Sequence, residues 1–267
     1  MSVAATLVEA LEPVRCTPGR AAILLDIDGT LAPIVRHADD AAVPEPTRVQ
    51  LIAVAKRYAV VGCVSGRRSS RARQMVSLGS IAYVGNHGAE ILRPGDSEAQ
   101  VDPEIAGYAR AVRAFADSVY TPDLQRLRVR SEDKQAIAAF HWRGAPDEQA
   151  AEHALRTIAE QAQAAGLAIH WGRKVLEVRP PLAIDKGRGV RLLLDGRDVS
   201  AALYVGDDVT DLDAFAGLRA LVDEGRLTTA VCVGVLSDET PAQIEERADV
   251  LVDGTRGVLE LLTALAT

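Results

Sequence analysis

The sequence is poor in cysteine, with three in 267 residues: Cys16, Cys63 and Cys232. They are too few and too scattered for a disulfide framework or a zinc site, and two stand in apolar runs, so a reducing compartment is expected. There is no excess of positive charge. Thirty Lys and Arg stand against 37 Asp and Glu, a formal net charge of -7, which excludes a general nucleic-acid or anionic-membrane surface but leaves room for local anion binding. No stretch approaches the roughly 20 apolar residues of a membrane span. The opening MSVAATLVEALEPVRC has neither the charged start nor the long apolar segment of a secretory signal. Tandem repeats and low-complexity linkers are also lacking. A soluble, cytoplasmic protein without nucleic-acid or membrane partners is expected.

What is present is a large apolar fraction, 48% of the residues, enough for one large domain or a core carrying a substantial insertion. Short apolar runs of the buried-strand type recur with helical stretches between them: Ala21 to Leu25, Ala59 to Val64, Ile81 to Val84, Leu203 to Val205, Ala230 to Val233 and Val250 to Val252. This alternation predicts an α/β fold, a doubly wound parallel, Rossmann-like sheet. Between Ile91 and Arg179 the texture changes. Leu127 to Glu132 and Ala136 to Trp142 read as strands, Gln149 to Ala165 as an Ala-rich helix, and Ala168 to Arg179 as a hairpin around Gly172. The expected organisation is therefore a core of residues 1–90 and 180–267 with an α+β insert at 91–179.

Parallel sheets bind ligands at the carboxyl ends of their strands. Ala21 to Leu25 runs directly into Asp26-Ile27-Asp28-Gly29-Thr30, two carboxylates at the end of a buried strand. Crowded like charges call for a cation or a shared proton, and Mg²⁺ is the hard ion that suits oxygen ligands. The same segment could be an Asp-Gly turn, although Pro33 would deny a returning strand a backbone donor. As chemistry, the pair fits a nucleophile followed by an acid–base group. Asp26 attacks phosphorus to give an aspartyl-phosphate, while Asp28 protonates the leaving oxygen and later activates water. Gly29 would permit close backbone approach, and Thr30 could donate to a phosphate oxygen.

Three more polar segments follow. Ser65-Gly66-Arg67 comes after Ala59 to Val64, as a phosphate-oxygen site or as a helix N-cap. Tyr83-Val84-Gly85-Asn86-His87-Gly88 is a second Gly-rich segment. In Ile184-Asp185-Lys186-Gly187 the lysine either neutralises a nucleophile and transferring phosphoryl group or is a solvated first-turn residue. Val205-Gly206-Asp207-Asp208-Val209-Thr210-Asp211 sets three carboxylates in five residues where a strand meets a helix. One suits a helix N-terminus and two look like metal ligands. A strand before Asp207 lying beside the strand before Asp26 would let the two share one Mg²⁺.

DIDGT, SGR, DKG and GDDVTD, in that order and each read as following an apolar strand, resemble the motifs of the haloacid dehalogenase-like phosphatase superfamily. The resemblance implies Asp26 as nucleophile, Asp28 as general acid and base, and Lys186 as charge stabiliser. Thr30, Ser65, Gly66 and Lys186 would bind phosphate. Asp26, Asp28 (through its carbonyl), Asp207 and Asp208 would form the Mg²⁺ site. An insert in this position would be a substrate-covering cap domain.

Within that superfamily, YVGNHG, EDKQAIAAFHWR, GRKVLEVRP and GDDVTDLDAF are similar to the trehalose-6-phosphate phosphatases. The resemblance implies a small sugar-phosphate substrate, trehalose 6-phosphate, and functional coupling to a trehalose-phosphate synthase. Its sugar-binding pattern maps onto Glu132, Lys134, Arg143, Arg173 and Glu177, with Arg67, Asn86, His87 and Lys174 completing the candidate set. Residues two apart on a strand share a face. That groups Glu132 with Lys134, and Arg173 with Glu177 and Arg179, and turns Lys174 away. A salt-bridged solvated sheet face is the competing reading. His87, His141 and His170 suit structural roles, and Trp142 and Trp171 suit packing or sugar stacking. Other readings are a phosphatase of sucrose phosphate or mannosyl-phosphoglycerate, or a non-catalytic sugar-phosphate binding module.

Overall fold

A computed structural model of the chain describes residues 3–35, 40–238 and 240–267. Two compact units emerge, one of residues Met1–Gln100 with Ile184–Thr267 and the other of Val101–Ala183. The elements in chain order are α1 (Val3–Arg15), β1 (Ala21–Leu25), α2 (Glu45–Arg57), β2 (Val60–Val64), α3 (Ser69–Val76), β3 (Ala82–Gly85), β4 (Glu90–Leu92) and β5 (Gln100–Val101). Then come α4 (Pro103–Val119), α5 (Pro122–Arg126), β6 (Arg130–Asp133), β7 (Ala138–His141), α6 (Glu148–Ala164), β8 (Ala168–Gly172) and β9 (Val175–Arg179). The chain closes with α7 (Lys186–Leu194), β10 (Ala201–Gly206), α8 (Asp211–Asp223), β11 (Thr229–Leu236), α9 (Ala242–Arg247), β12 (Val250–Asp253) and α10 (Gly254–Ala266).

Eight strands form one sheet in the order β12-β11-β10-β1-β2-β3-β4-β5. The pairs from β12 through β3 are parallel, and β4 runs antiparallel to β3. Alternate residues of each central strand enter two different cores. Ile23, Leu25, Leu203 and Val205 pack with residues of α1, α2, α3 and α10. Leu24, Ala202 and Tyr204 pack with residues of α7 and α8 on the other side. Helices covering both faces explain why these strands read as unbroken apolar runs. Each fully buried Leu or Ile contributes about 1.5–3 kcal/mol to holding the layers together.

The second unit is a four-stranded sheet, β6-β7-β9-β8, with every pair antiparallel. Phe140, Leu176 and Val178 face α4 and α6, packing with Val112, Leu155 and Ile158. The opposite parity, Glu132, Ala139, Glu177 and His170, lies in one cross-strand row. Asp102 and Asp147 cap α4 and α6, accepting from the amides of Glu104 and Ala150.

Some boundaries differ from the sequence expectation. The second unit starts at Val101 rather than residue 91, because β4 pairs with β3 and keeps Glu90–Leu92 in the large sheet. Leu127 to Val129 close α5 instead of opening a strand: Leu127 N donates to Asp123 O, Val129 N to Leu124 O, and Arg128 is left-handed at φ 56. The β8–β9 turn is Arg173-Lys174, one residue beyond Gly172.

Candidate active site

The strand register assembles the site. Leu25 pairs with Val205, and Asp26 N donates to Val205 O at 2.9 Å, so Asp26 and Asp207 emerge from adjacent strands as expected. Asp26, Asp207 and Asp211 are buried, and each offers an oxygen within 4.8 Å of the others. Lys186, also buried, donates from Nζ to Asp26 Oδ1 and to Asp211 Oδ1, both at 2.6 Å. This rules out a solvated first-turn lysine. Nor does Lys186 follow a strand: it opens α7 after a loop, behind its cap Asp185, which accepts from Arg188 N at 2.8 Å. Glycine makes this placement possible. A Cβ on Gly187 would sit 2.6 Å from Asp213 O, and one on Gly88 would sit 2.5 Å from Asp185 O.

Asp211 is fully spoken for. One oxygen accepts from Lys186 Nζ and Tyr204 Oη (2.7 Å), the other from the amides of Asp207 and Asp208 (3.0 Å each). It anchors the loop that presents Asp207 and leaves only Asp26 and Asp207 with uncommitted oxygens in the triad. Thr30 donates to Asp207 Oδ1 at 3.0 Å, where a phosphate oxygen was expected.

The electrostatics follow from burial. Desolvation, resisted by Lys186 and reinforced by Asp211 and Asp207, pushes the Asp26 pKa well above the usual carboxylate range. Desolvation and the neighbouring Asp211 push Asp207 up to about 7. For Lys186 burial acts downward, but Asp211 and Asp26 overcome it and hold the ammonium above the ordinary lysine value. Two carboxylates this reluctant to be charged are suited to share a divalent cation.

Asp28 stands apart from the triad. Both its oxygens are taken by Arg67, Nε to Oδ2 and Nη2 to Oδ1, at 2.7 Å each. Asp208 also lies outside it, exposed, with Oδ1 accepting from Val209 N at 2.6 Å. Of the three carboxylates expected for the metal, Asp26 and Asp207 come together, with Asp211 behind them, and Asp208 lies outside; the Asp28 contribution was expected from its backbone carbonyl. Ser65 is buried and accepts from Arg67 N at 3.1 Å. It is not the cap of α3, whose capping position is Arg68. The SGR and GNHG segments are stitched together: Asn86 N donates to Arg67 O at 2.8 Å and His87 N to Ser65 O at 3.0 Å. Those two amides are therefore committed within the protein. Gly66 lets the His87 ring approach, since a Cβ there would lie 2.6 Å from ring atoms.

In the second unit the candidate sugar residues fall into two groups. Lys134 donates to Glu177 Oε1 at 2.8 Å and Arg179 Nε to Glu177 Oε2 at 3.0 Å, all three buried. Glu132 meets His141 Nε2 at 2.9 Å, and that hydrogen bond holds its pKa below the usual range. The other group surrounds the β8–β9 turn. Arg143 Nη2 reaches Arg173 O at 3.4 Å, and Lys174, at φ 59, pairs with Glu148 at 2.6 Å. Arg173 is thus a turn residue and does not share the strand face of Glu177. Trp142 packs edge-on to Trp171 at 5.8 Å, and Arg156 covers the Trp171 ring at 5.7 Å, a packing arrangement.

The family model for trehalose-phosphatase matches residues 24–248, from within β1 to beyond α9. The chain belongs to the trehalose-phosphatase family. A trehalose-phosphate phosphatase from Mycobacterium marinum is 32% identical over 245 residues, 88% of this chain and 62% of that protein. A Mycobacterium tuberculosis protein described as an uncharacterized glycosyl hydrolase is 32% identical over 213 residues, 76% of this chain but 16% of that protein. The chain therefore spans less than two thirds of the length of either relative. The solved C-terminal domain of trehalose-6-phosphate phosphatase from C. albicans superposes with a TM-score of 0.74 at 22% identity, covering 97% of this chain and 96% of that domain.

Within this trehalose-phosphatase core two supporting residues escaped the sequence reading. Tyr204 looks like ordinary strand filling yet donates to Asp211. Glu90 is buried, accepting from Ser69 N at 2.6 Å and Ser69 Oγ at 2.9 Å, which fixes the start of α3 behind Arg67. An acidic residue opening an otherwise apolar strand was the available signal. No helix among the described residues is long and apolar enough to cross a membrane.

Proposed function

We propose that this protein is a cytoplasmic phosphatase that hydrolyses trehalose 6-phosphate to trehalose and phosphate through an aspartyl-phosphate on Asp26. The observation carrying this reading is the buried Asp26–Lys186 contact of 2.6 Å, beside Asp207, at the carboxyl ends of β1 and β10. Asp26 is the nucleophile, and Lys186 holds it in place and offsets charge on the transferring group. Asp28 gives a proton to the departing sugar oxygen and then takes one from the water that cleaves the acyl-phosphate. Ser65 and Gly66 line the phosphate position, and Thr30 holds Asp207 beside it. Asp26 and Asp207, with the Asp28 carbonyl, are the ligands for Mg²⁺. When bound, the ion offsets charge on the phosphoryl oxygens. Asp211 keeps Asp207 and Lys186 in register with Asp26.

Val101–Ala183 is read as the cap, with Glu132, Lys134 and Glu177 meeting sugar hydroxyls and Arg143, Arg173 and Lys174 supplying the cationic edge. A trehalose-phosphate synthase is the matching source of substrate. The test is phosphate release from trehalose 6-phosphate beside glucose 6-phosphate and sucrose 6-phosphate, with and without Mg²⁺. Preference for trehalose 6-phosphate is expected, and Asp26→Asn should abolish turnover while keeping the fold. Equal rates on all three sugars would remove the substrate assignment, and an active Asp26→Asn would remove the nucleophile.

A further inference from the structure

The Arg67–Asp28 pair is more specific than a rim ion pair needs to be. Two parallel N–H···O contacts of 2.7 Å engage both carboxylate oxygens, the fork geometry that fixes orientation as well as distance. The side chains are 20% and 37% exposed, so Coulomb attraction alone gives little stability here. The Arg67 backbone, in contrast, is rigidly held. Its amide donates to Ser65 Oγ at 3.1 Å and its carbonyl accepts from Asn86 N at 2.8 Å. A Cβ on Gly85 would stand 2.9 Å from that carbonyl, so the two loops close tightly around it. β2, which precedes Arg67, is paired with β1, which precedes Asp28. Asp28 itself sits in a turn, before Gly29 at φ 86, and among the described residues Arg67 is the hydrogen-bond partner of its carboxylate. A fixed donor on one strand end therefore orients a carboxylate on the next.

We propose that Arg67 is a positioning residue for Asp28, orienting its carboxyl group for proton delivery to the leaving oxygen, and is not primarily a ligand of the sugar. This rests on Asp28 being the acid of the reaction proposed above. In the first displacement an Asp26 oxygen bonds to phosphorus, the bond from phosphorus to the substrate oxygen breaks, and the proton moves from Asp28 to that oxygen. Asp28 is left as the carboxylate that both arms of Arg67 can hold. In the second, water bonds to phosphorus and gives a proton to Asp28, the acyl-phosphate bond breaks, and Asp26 returns as a carboxylate.

The test is the dependence of kcat/KM on leaving group, with a series of aryl phosphates from acidic nitrophenols to phenol, in the Mg²⁺-loaded protein. This quantity reports the first displacement only. Acid assistance matters most for poor leaving groups and is worth about 10²-fold or more. Wild type should show a shallow dependence and Asp28→Asn a steep one. Arg67→Met should approach the steep slope, losing about 10²-fold more on phenyl phosphate than on the best nitrophenyl ester, with Arg67→Lys between. A uniform loss across the series in both Arg67 variants would make Arg67 a phosphate ligand or a structural residue and overturn the proposal. If Arg67→Met fails to fold, Arg67→Lys, which replaces a fork by a point donor, decides by the same slope. A shallow slope in Asp28→Asn would instead overturn the acid assignment and this proposal with it.

Discussion

Asp207 fills the space that a side chain on Gly29 would need: a Cβ built on Gly29 would lie 2.1 Å from Asp207 Oδ2. The residue is also left-handed, at φ 86. Gly29→Ala is expected to lose about 1–3 kcal/mol from backbone strain alone and to displace Asp207 as well. Urea unfolding and isothermal Mg²⁺ titration should therefore both change. A variant with wild-type stability and Mg²⁺ affinity would show that the turn relaxes freely.

Asp207 and Asp211 should behave oppositely when neutralised. Asp207→Asn keeps an oxygen for Thr30 and removes one of three crowded charges. The metal-free protein should stay within about 1 kcal/mol of wild type, or rise above it, while its Mg²⁺ response disappears. Asp211→Asn turns an NH₂ group toward donors whichever way the amide faces, and strips Lys186 of a partner. A loss of about 3–5 kcal/mol is expected, as for broken buried pairs. Chemical denaturation with and without Mg²⁺ separates the two.

The Mg²⁺ effect on melting should depend on pH with a definite sign. In the metal-free protein Asp207 is pushed up to about 7, against about 3.9 for an unfolded aspartate. Between these values the folded state holds a proton that the unfolded chain has released, so metal-free stability falls as pH rises through this window and levels off above it. Asp26 is displaced in the same direction. Mg²⁺ competes with that proton, so the Tm increase it causes should grow from about pH 5 to about pH 8. A constant increase across that range would contradict the assignment of Asp26 and Asp207 as its ligands.

In the second unit, Glu177 joins Lys134 and Arg179 in a buried triad, so Glu177→Ala leaves two cations without their carboxylate. Unfolding should cost about 3–5 kcal/mol less, and lost turnover in that variant says little about sugar contact. Glu132 is half-exposed, and Glu132→Gln should stay within about 1 kcal/mol of wild-type stability. If it meets the sugar, KM for trehalose 6-phosphate rises several-fold while an aryl phosphate is unaffected.

The parallel core was legible because its strands are buried on both faces, and β1 falls where its apolar run does. So was the convergence of Asp26, Asp207 and Lys186, since each stands where an element begins or ends. The partners of these groups were harder to read. Asp28 with Arg67, Tyr204 with Asp211, and Glu90 with Ser69 are set by side chains meeting across separate elements. Locally only Glu90 stands out, as an acid opening an apolar strand, and even there the partner is not marked. Strand starts in the second unit were blurred because Leu127 and Val129 alternate with Arg128 as in a strand, yet the three close a helix. Arg173 was misplaced by assuming that strand alternation continued through a turn.

The pairing of Leu25 with Val205 also acts as a checkpoint on assembly. Sliding β10 by one residue against β1 would turn Tyr204 and Val205 into each other's cores and carry Asp207 away from Asp26. Packing errors and a dismantled site thus come from the same slip, so a chain that has settled its hydrophobic layers has already aligned its reactive carboxylates.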